Sequence, residues 1–258
     1  MGNNIAMEQI KYAGPGGMDV TEMGTGPRVV FVHGGGVGGA LAWKEQWPMA
    51  ADWRLVMVSR PGYGDSPARG GEDFERDADL VAELLQPGDH VVCHSYGAAV
   101  GMLAVAQDVD KVASMTIIES GTTAIAKDDP SVTMFHFALL GLMTNPPEDD
   151  ELFLRWMFRI IQPSQPLPPV LPPPLAQFAR HLRHFRSPSE CIVPEKILHD
   201  AAFKKLHVSG DHNPAYEGIT NRLAEHLGGE RLIIRGAGHM PHMTGAPFNA
   251  ALDAFLRN

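Results

Sequence analysis

The most informative stretch of the chain places a serine where a nucleophile would stand. Two β-branched apolar residues lead into Ser95, small residues flank it, and an apolar helical run follows, in the segment VVCHSYGAAVGMLA (residues 91–104). This pattern predicts a strand, a sharp turn and a helix, with the hydroxyl at the apex of a strained turn. Such a turn exposes the hydroxyl to a base on one side and to the helix N-terminus on the other. We interpret Ser95 as a candidate nucleophile.

A serine hydroxyl needs a base within hydrogen-bond reach, because it is a poor nucleophile at neutral pH. His239 follows the apolar run 231–234 in the glycine-rich segment GAGH (residues 236–239). It could take the proton from Ser95 and later deliver it to a leaving group. His242 lies just outside this segment, and we interpret it as a loop residue.

Two carboxylates are candidates for the group that orients this histidine. Glu119 ends the apolar run 112–118, and its distance of 24 residues from Ser95 (119 − 95) leaves room for a helix, a loop and a strand. A carboxylate at the tip of a buried strand is costly unless it has a partner. That partner could equally be a backbone N–H at the edge of the sheet. Asp211 directly follows Gly210, at the end of another predicted strand.

Composition restricts the class of protein. With 258 residues, 44% hydrophobic and 20% charged, the chain can bury one substantial core. A net charge of −9 without a basic cluster argues against a nucleic-acid partner, and no apolar run is long enough to cross a membrane. Residues 1–7 lack the features of a secretory signal, and Cys93 and Cys191 form no disulfide framework, which favours the cytoplasm. The spacing of the 12 histidines predicts no metal site.

Apolar runs alternate with helical patterns, which predicts parallel strands joined by crossover helices. The predicted strands are residues 28–32, 54–58, 90–93, 112–118, 204–210 and 231–234. We expect a mostly parallel, twisted sheet flanked by helices, with residues 1–120 and 201–258 as its core domain. No internal repeat is visible.

Residues 121–200 interrupt this alternation and carry no strand signal. They contain two apolar helical stretches (132–143 and 151–161) and seven prolines within residues 163–174. An insertion of this length cannot be a simple loop, so we predict a helical, proline-rich cap over the strand ends. The proline run could equally be a rigid spacer without ligand contact. The apolar side chains of the two helical stretches could line a pocket or form the core of the cap.

Four motifs agree in order and spacing with one family. They are HGGG (residues 33–36), RPGYGDS (60–66), HSYG (94–97) and GAGH (236–239). Together they make the chain resemble the α/β-hydrolase superfamily over nearly its whole length outside residues 121–200. One departure is Cys93, which stands where the family's G-x-S-x-G motif has its first glycine. The resemblance implies an oxyanion hole formed by the backbone N–H groups of Tyr96 and Gly35.

The resemblance also bears on the choice of the acid. In the superfamily the commoner acid stands three residues after the glycine that ends the penultimate strand, and counting from Gly210 gives the uncharged Asn213. Some members, including a group of haloalkane dehalogenases and the mycotoxin lactonases, carry the acid after the strand that follows the nucleophile helix. Glu119 stands at that location. We therefore favour Glu119 over Asp211 as the acid.

The expected function is that of a cofactor-independent serine hydrolase acting on an ester, lactone or thioester of a small to medium apolar molecule. Serine at the turn disfavours dehalogenase and epoxide-hydrolase chemistry, since those superfamily members resemble one another in using aspartate there. The alternative is a lyase, a cyclase or a binding protein that retains the fold. We expect a small-molecule substrate, no cofactor or metal, and no nucleic-acid or membrane partner, and the sequence leaves a homodimer open.

Overall fold

The computed structural model describes residues 8–258, apart from the side chains of His181 and Arg183. The prediction about a secretory signal concerns residues 1–7, which lie outside the described part of the chain. Within the described part, no helix has both the length and the apolar character that a bilayer span requires.

Within residues 8–258, eight strands form a single sheet. They are β1 Gln9–Ala13, β2 Asp19–Met23, β3 Arg28–Val32, β4 Arg54–Val58, β5 Asp89–His94, β6 Val112–Ile118, β7 Lys204–Ser209 and β8 Glu230–Ile233. Their order is β1-β2-β4-β3-β5-β6-β7-β8, with β2 antiparallel to both of its neighbours and every later pair parallel. The predicted mostly parallel sheet is thus present, and it extends beyond the prediction by the β1–β2 hairpin.

Helices cover both faces of the sheet. Those in the described residues are α1 Gly39–Ala42, α2 Phe74–Leu84, α3 Tyr96–Gln107, α4 Pro130–Thr144, α5 Asp150–Ile161, α6 Pro173–His181, α7 Glu195–Asp200, α8 Pro214–Leu227 and α9 Ala246–Arg257. Apolar side chains of α2, α3 and α8 pack on one face of the sheet. Those of α9 and of the 3₁₀ segment Lys44–Ala51 pack on the other. Because both faces are buried, the central strands β3 and β4 are apolar after their first residue.

Residues 121–200, which we call the insertion, contribute most of a small apolar cluster. Buried side chains from α4, α5 and α6 meet there, and Tyr63 of the core domain packs against them. The proline run lies on α5, where Arg155 donates hydrogen bonds to the carbonyl oxygens of Pro168 (3.0 Å) and Pro169 (2.8 Å). The last two prolines of the run form the start of α6. The sequence pattern predicted neither α6 nor α7.

The turn between β5 and α3 holds Ser95 in a strained conformation. Ser95 has φ 54° and ψ −119°, a region that side-chain-bearing residues rarely adopt. The chain passes very close to the end of β3 at this point. A Cβ atom on Gly97 would lie 2.4 Å from the carbonyl oxygen of His33 and 2.5 Å from that of Val32. Only glycine fits at position 97, because the first turn of α3 lies against the backbone at the end of β3.

This close approach can be tested with two glycine-to-alanine variants in helices. Gly97→Ala should lower the free energy of unfolding by roughly 2–3 kcal/mol, because the new methyl group meets backbone oxygens that cannot move aside. Gly141→Ala in α4 is the control, since no atom lies within 4 Å of its added Cβ. It should raise that free energy by about 0.5–1 kcal/mol. Urea denaturation measures both, and equal stability of the two variants would contradict the explanation.

Candidate active site

The carboxyl ends of β5, β6 and β8 bring the three sequence-predicted side chains into one hydrogen-bonded chain. The Ser95 Oγ lies 2.8 Å from His239 Nε2, and His239 Nδ1 lies 3.1 Å from Glu119 Oε2. A carboxylate only accepts, so Nδ1 carries the proton and Nε2 is free to accept from the serine hydroxyl. This arrangement can remove a proton from Ser95 and stabilise the imidazolium that results.

Glu119 follows β6 directly and is fully buried. Its φ of 49° turns the chain so that its own N–H binds the Val208 carbonyl oxygen, while Oε1 accepts a 2.6 Å hydrogen bond from the Gly210 N–H. Burial by itself raises the pKa of this carboxyl. Hydrogen bonds from His212 and His239 outweigh burial and lower the pKa from 4.5 to about 2. Glu119 is therefore ionised at neutral pH.

The other two acid positions considered from the sequence have different partners. The Asp211 carboxylate binds Arg235 at 2.7 Å near the surface. Asn213 caps the N-terminus of α8 by accepting from the Ala215 N–H, and its amide nitrogen donates to the carbonyl oxygens of Ile160 and Ile161 in the last turn of α5. Asn213 thus ties the insertion to the core domain.

Three rings that the sequence did not assign to the site surround the His239 imidazole. His94 donates from Nε2 to the backbone oxygen of His239 at 2.8 Å and so fixes the loop that carries the candidate base. Tyr216 of α8 lies with its ring centroid 4.6 Å from that of His239. His212 donates from Nε2 to Glu119 Oε2 at 2.9 Å. The one signal for His212 was its place beside Asn213, in the loop where the acid was sought.

Gly35 and Tyr96 both line the cavity above Ser95. Tyr96 is the first residue of α3, so its N–H has no carbonyl partner one turn earlier in the helix. The HGGG segment (residues 33–36), which we call the glycine loop, approaches Ser95 closely, since a Cβ atom on Gly34 would lie 2.8 Å from the Ser95 Cβ. Phe178 of α6 covers the loop from above, and a Cβ atom on Gly35 would lie 2.6 Å from its ring.

Arg60 holds the glycine loop from below. Its fully buried guanidinium donates to the carbonyl oxygens of His33 (3.0 Å) and Gly34 (2.9 Å). The same group forms ion pairs with Glu72 at 2.8 Å and Asp77 at 3.0 Å, which balance its charge. Arg60, the first residue of the RPGYGDS motif, thus holds the glycine loop in place through two hydrogen bonds to its backbone.

The cavity is predominantly apolar, and the insertion supplies much of its wall. Apolar lining residues from α4, α5 and α6 are Phe135, Leu139, Met143, Met157, Phe158, Ile161 and Phe178. Phe153 lies instead in the core of the insertion, while Met134 and Phe137 are exposed. Some of the apolar side chains of the two predicted helical stretches therefore line the cavity, and others pack in the apolar cluster of residues 121–200. Polar groups reach the wall at Glu72, Gln162 and Ser187.

Glu119, His212 and His239 also form a cluster of three groups of the kind that bind metal ions, with their ligand atoms within 4.8 Å of one another. One nitrogen of each imidazole, His212 Nε2 and His239 Nδ1, lies at hydrogen-bond distance from Glu119 Oε2. Two N–H donors and one acceptor oxygen account for this geometry without an ion.

The motifs, the sheet and the site agree with one family. Residues 29–251 match the family model described as "Alpha/beta hydrolase family", and the chain belongs to that family. The predicted α/β-hydrolase fold is thereby confirmed.

Relatives of the chain include two proteins named as pimeloyl-[acyl-carrier protein] methyl ester esterases. The one from Aeromonas salmonicida is 30% identical over 43% of this chain and 45% of its own length. The one from Methylococcus capsulatus is 31% identical over 47% of this chain and 50% of its own length. The matched segments thus span half or less of these relatives.

Solved structures resemble the chain over nearly its full length. An N-acyl homoserine lactonase, solved as a complex with N-hexanoyl homoserine, has a TM-score of 0.70 and 18% identity over 97% of this chain and 96% of its own. An esterase from Rhodococcus sp. ECU1013 has a TM-score of 0.61 and 18% identity over 98% of this chain and 99% of its own. At this identity the likeness establishes the fold alone.

Buried histidines around the site make stability depend on pH. Burial lowers the pKa of His33, His94 and His242, that of His242 to about 3. The folded protein therefore keeps these rings neutral below pH 6.5, whereas the unfolded chain protonates them. The free energy of unfolding should fall by roughly 1 kcal/mol per pH unit for each ring below pH 6.5. Glu119, whose pKa is lowered, adds a further loss as pH falls from 4.5 toward 2.

Urea denaturation at pH 7, 6 and 5 measures this slope. His242→Phe keeps an aromatic ring against Trp43 and His94 but removes one titrating group. Its slope should be shallower than that of the wild type by roughly 1 kcal/mol per pH unit. A wild-type free energy that stays flat from pH 7 to pH 5 would contradict the assignment of neutral buried rings.

Proposed function

We propose that the protein is a cofactor-independent serine hydrolase that cleaves an ester, lactone or thioester through an acyl-enzyme on Ser95. The observation that carries the proposal is the hydrogen-bonded chain from Ser95 through His239 to Glu119, at the floor of an apolar cavity. Its distances suit transfer of the serine proton to a neutral imidazole.

In the first half-reaction, His239 accepts the Ser95 proton at Nε2 while Oγ attacks the substrate carbonyl carbon. The carbonyl electron pair moves to oxygen, and the N–H groups of Gly35 and Tyr96 bind the oxyanion. Collapse of the tetrahedral intermediate breaks the bond to the leaving group, which takes the proton from His239. The acyl group then remains on Ser95.

In the second half-reaction, His239 deprotonates a water molecule that attacks the acyl-enzyme. The new tetrahedral intermediate collapses, and the serine oxygen regains its proton from His239. Ser95, His239, the substrate and water account for every proton and electron pair in the two half-reactions, so the proposed mechanism uses no cofactor. One chain holds all of these groups, so a homodimer is not needed for the reaction.

The apolar wall contributed by α4, α5 and α6 favours a small to medium apolar acyl group. We propose that residues 121–200 act as a cap that excludes water from this group. The names of the relatives, which are ester hydrolases, support an ester substrate. The two cysteines are buried and free, which supports a cytoplasmic location.

Covalent labelling tests the nucleophile. A fluorophosphonate should label folded wild-type protein on Ser95, and Ser95→Ala should abolish both labelling and hydrolysis of p-nitrophenyl esters. The absence of an adduct on folded wild-type protein would overturn the proposal. Labelling without turnover of any ester, lactone or thioester in a panel would favour the alternative of lyase or cyclase chemistry on the same fold.

The choice of the acid can be tested by two carboxylate-to-amide substitutions. Glu119→Gln should lower kcat for a p-nitrophenyl ester on the order of 10³-fold, because a neutral amide stabilises the imidazolium poorly and favours the wrong tautomer. Asp211→Asn is the matched control and should change kcat by about twofold or less, since it loses only a surface ion pair. A large loss in Asp211→Asn with an active Glu119→Gln would show that Asp211 is the acid.

A further inference from the structure

Two imidazoles share one oxygen of Glu119. His212 Nε2 lies 2.9 Å from Oε2, and His239 Nδ1 lies 3.1 Å from the same atom, while Oε1 binds the Gly210 N–H. The His212 side chain is 3% exposed and that of Glu119 is fully buried. The charge on Oε2 is therefore divided between two N–H donors, out of contact with bulk water.

The second ring nitrogen of His212, Nδ1, indicates that this residue does more than fill space. Nδ1 is buried and has no hydrogen-bond partner among the described residues. A buried acceptor without a partner destabilises a folded protein. A side chain that offered Glu119 one N–H donor and had no second ring nitrogen would avoid this cost. The ring stands edge-on to His239, with centroids 5.8 Å apart, and its centroid lies 5.4 Å from that of Tyr216.

We propose that His212 is a positioning residue that acts on His239 through Glu119 and sets the pH range over which His239 serves as the base. The inference rests on the proposed function. A second N–H donor withdraws charge from Oε2, so the carboxylate holds an imidazolium at His239 less strongly. Without that donor Glu119 should hold the imidazolium more strongly, so the acidic limb of the activity profile should move to higher pH.

Other titratable or charged groups also face this pair. His94 at the end of β5 lies 5.0 Å from the His239 ring, between centroids, and His242 lies beyond His94 in the 3₁₀ segment Pro241–Thr244. Tyr216 of α8 contacts His239, and Arg231 of β8 interacts with the Glu119 charge. These four groups are the same in the variants below, so a difference between variants reports on His212.

Two substitutions separate the N–H donor from the ring. His212→Phe keeps an aromatic ring beside Tyr216 but removes the donor to Glu119. His212→Gln is the matched control, because its amide nitrogen can replace the Nε2 donor. The readouts are the rate of fluorophosphonate labelling of Ser95 and kcat/KM for a p-nitrophenyl ester, each from pH 5 to pH 9.

In His212→Phe the midpoint of the acidic limb should rise by about half a pH unit or more in both profiles. In His212→Gln it should stay at the wild-type value. A midpoint in His212→Phe equal to that of the wild type, with or without a uniform loss of rate, would overturn the inference and leave only a structural role. If His212→Phe does not fold, His212→Met, which also lacks an N–H donor, takes its place.

The wild-type protein separates this inference from the proposed function. Wild type that is neither labelled nor active would defeat the proposed function, and the inference with it. Wild type that is labelled and active, with unmoved midpoints in the donor-free variants, would defeat the inference alone.

Discussion

The site depends on one buried carboxylate that accepts three N–H groups. Glu119 has no solvent to stabilise its charge, so Gly210, His212 and His239 must all aim their donors at it. These donors come from the loops that follow β7 and β8, and Glu119 itself follows β6. One charge therefore fixes how three neighbouring strand ends are arranged. The alignment of His239 with Ser95 is a consequence of that arrangement.

The alternation of apolar runs was sufficient to predict the strands from β3 onward, and the motifs singled out Ser95 and His239 of the hydrogen-bonded chain. Ser95 and His239 lie in local patterns, a strained turn and a glycine-rich loop, that can be read without knowing the fold. Glu119 was reached through the resemblance, because nothing local distinguishes it from a carboxylate at the edge of a sheet. The contact of His212 with Glu119 spans 93 positions in the chain, and no periodicity or spacing reports such a contact. Helix α6 was missed because prolines open it.

The strained backbone positions of the described residues lie just after the carboxyl ends of β5, β6 and β7. The non-glycine residues with left-handed φ among residues 8–258 are Ser95, Glu119 and Asp211, which follow β5, β6 and β7. Each costs folding free energy. In the first two cases the strain aims a side chain of the hydrogen-bonded chain. At Asp211 the same conformation turns the acid toward Arg235 and leaves the next residue, His212, facing Glu119.

Asn213 joins the end of α5 to the start of α8. Its side chain completes the first turn of α8 and at the same time binds the last carbonyl groups of α5. Moving α5 away from α8 would therefore break both hydrogen bonds that the Asn213 amide nitrogen donates to it. The position that holds the commoner acid in the superfamily is thus occupied here by a residue that joins the end of α5 to the start of α8.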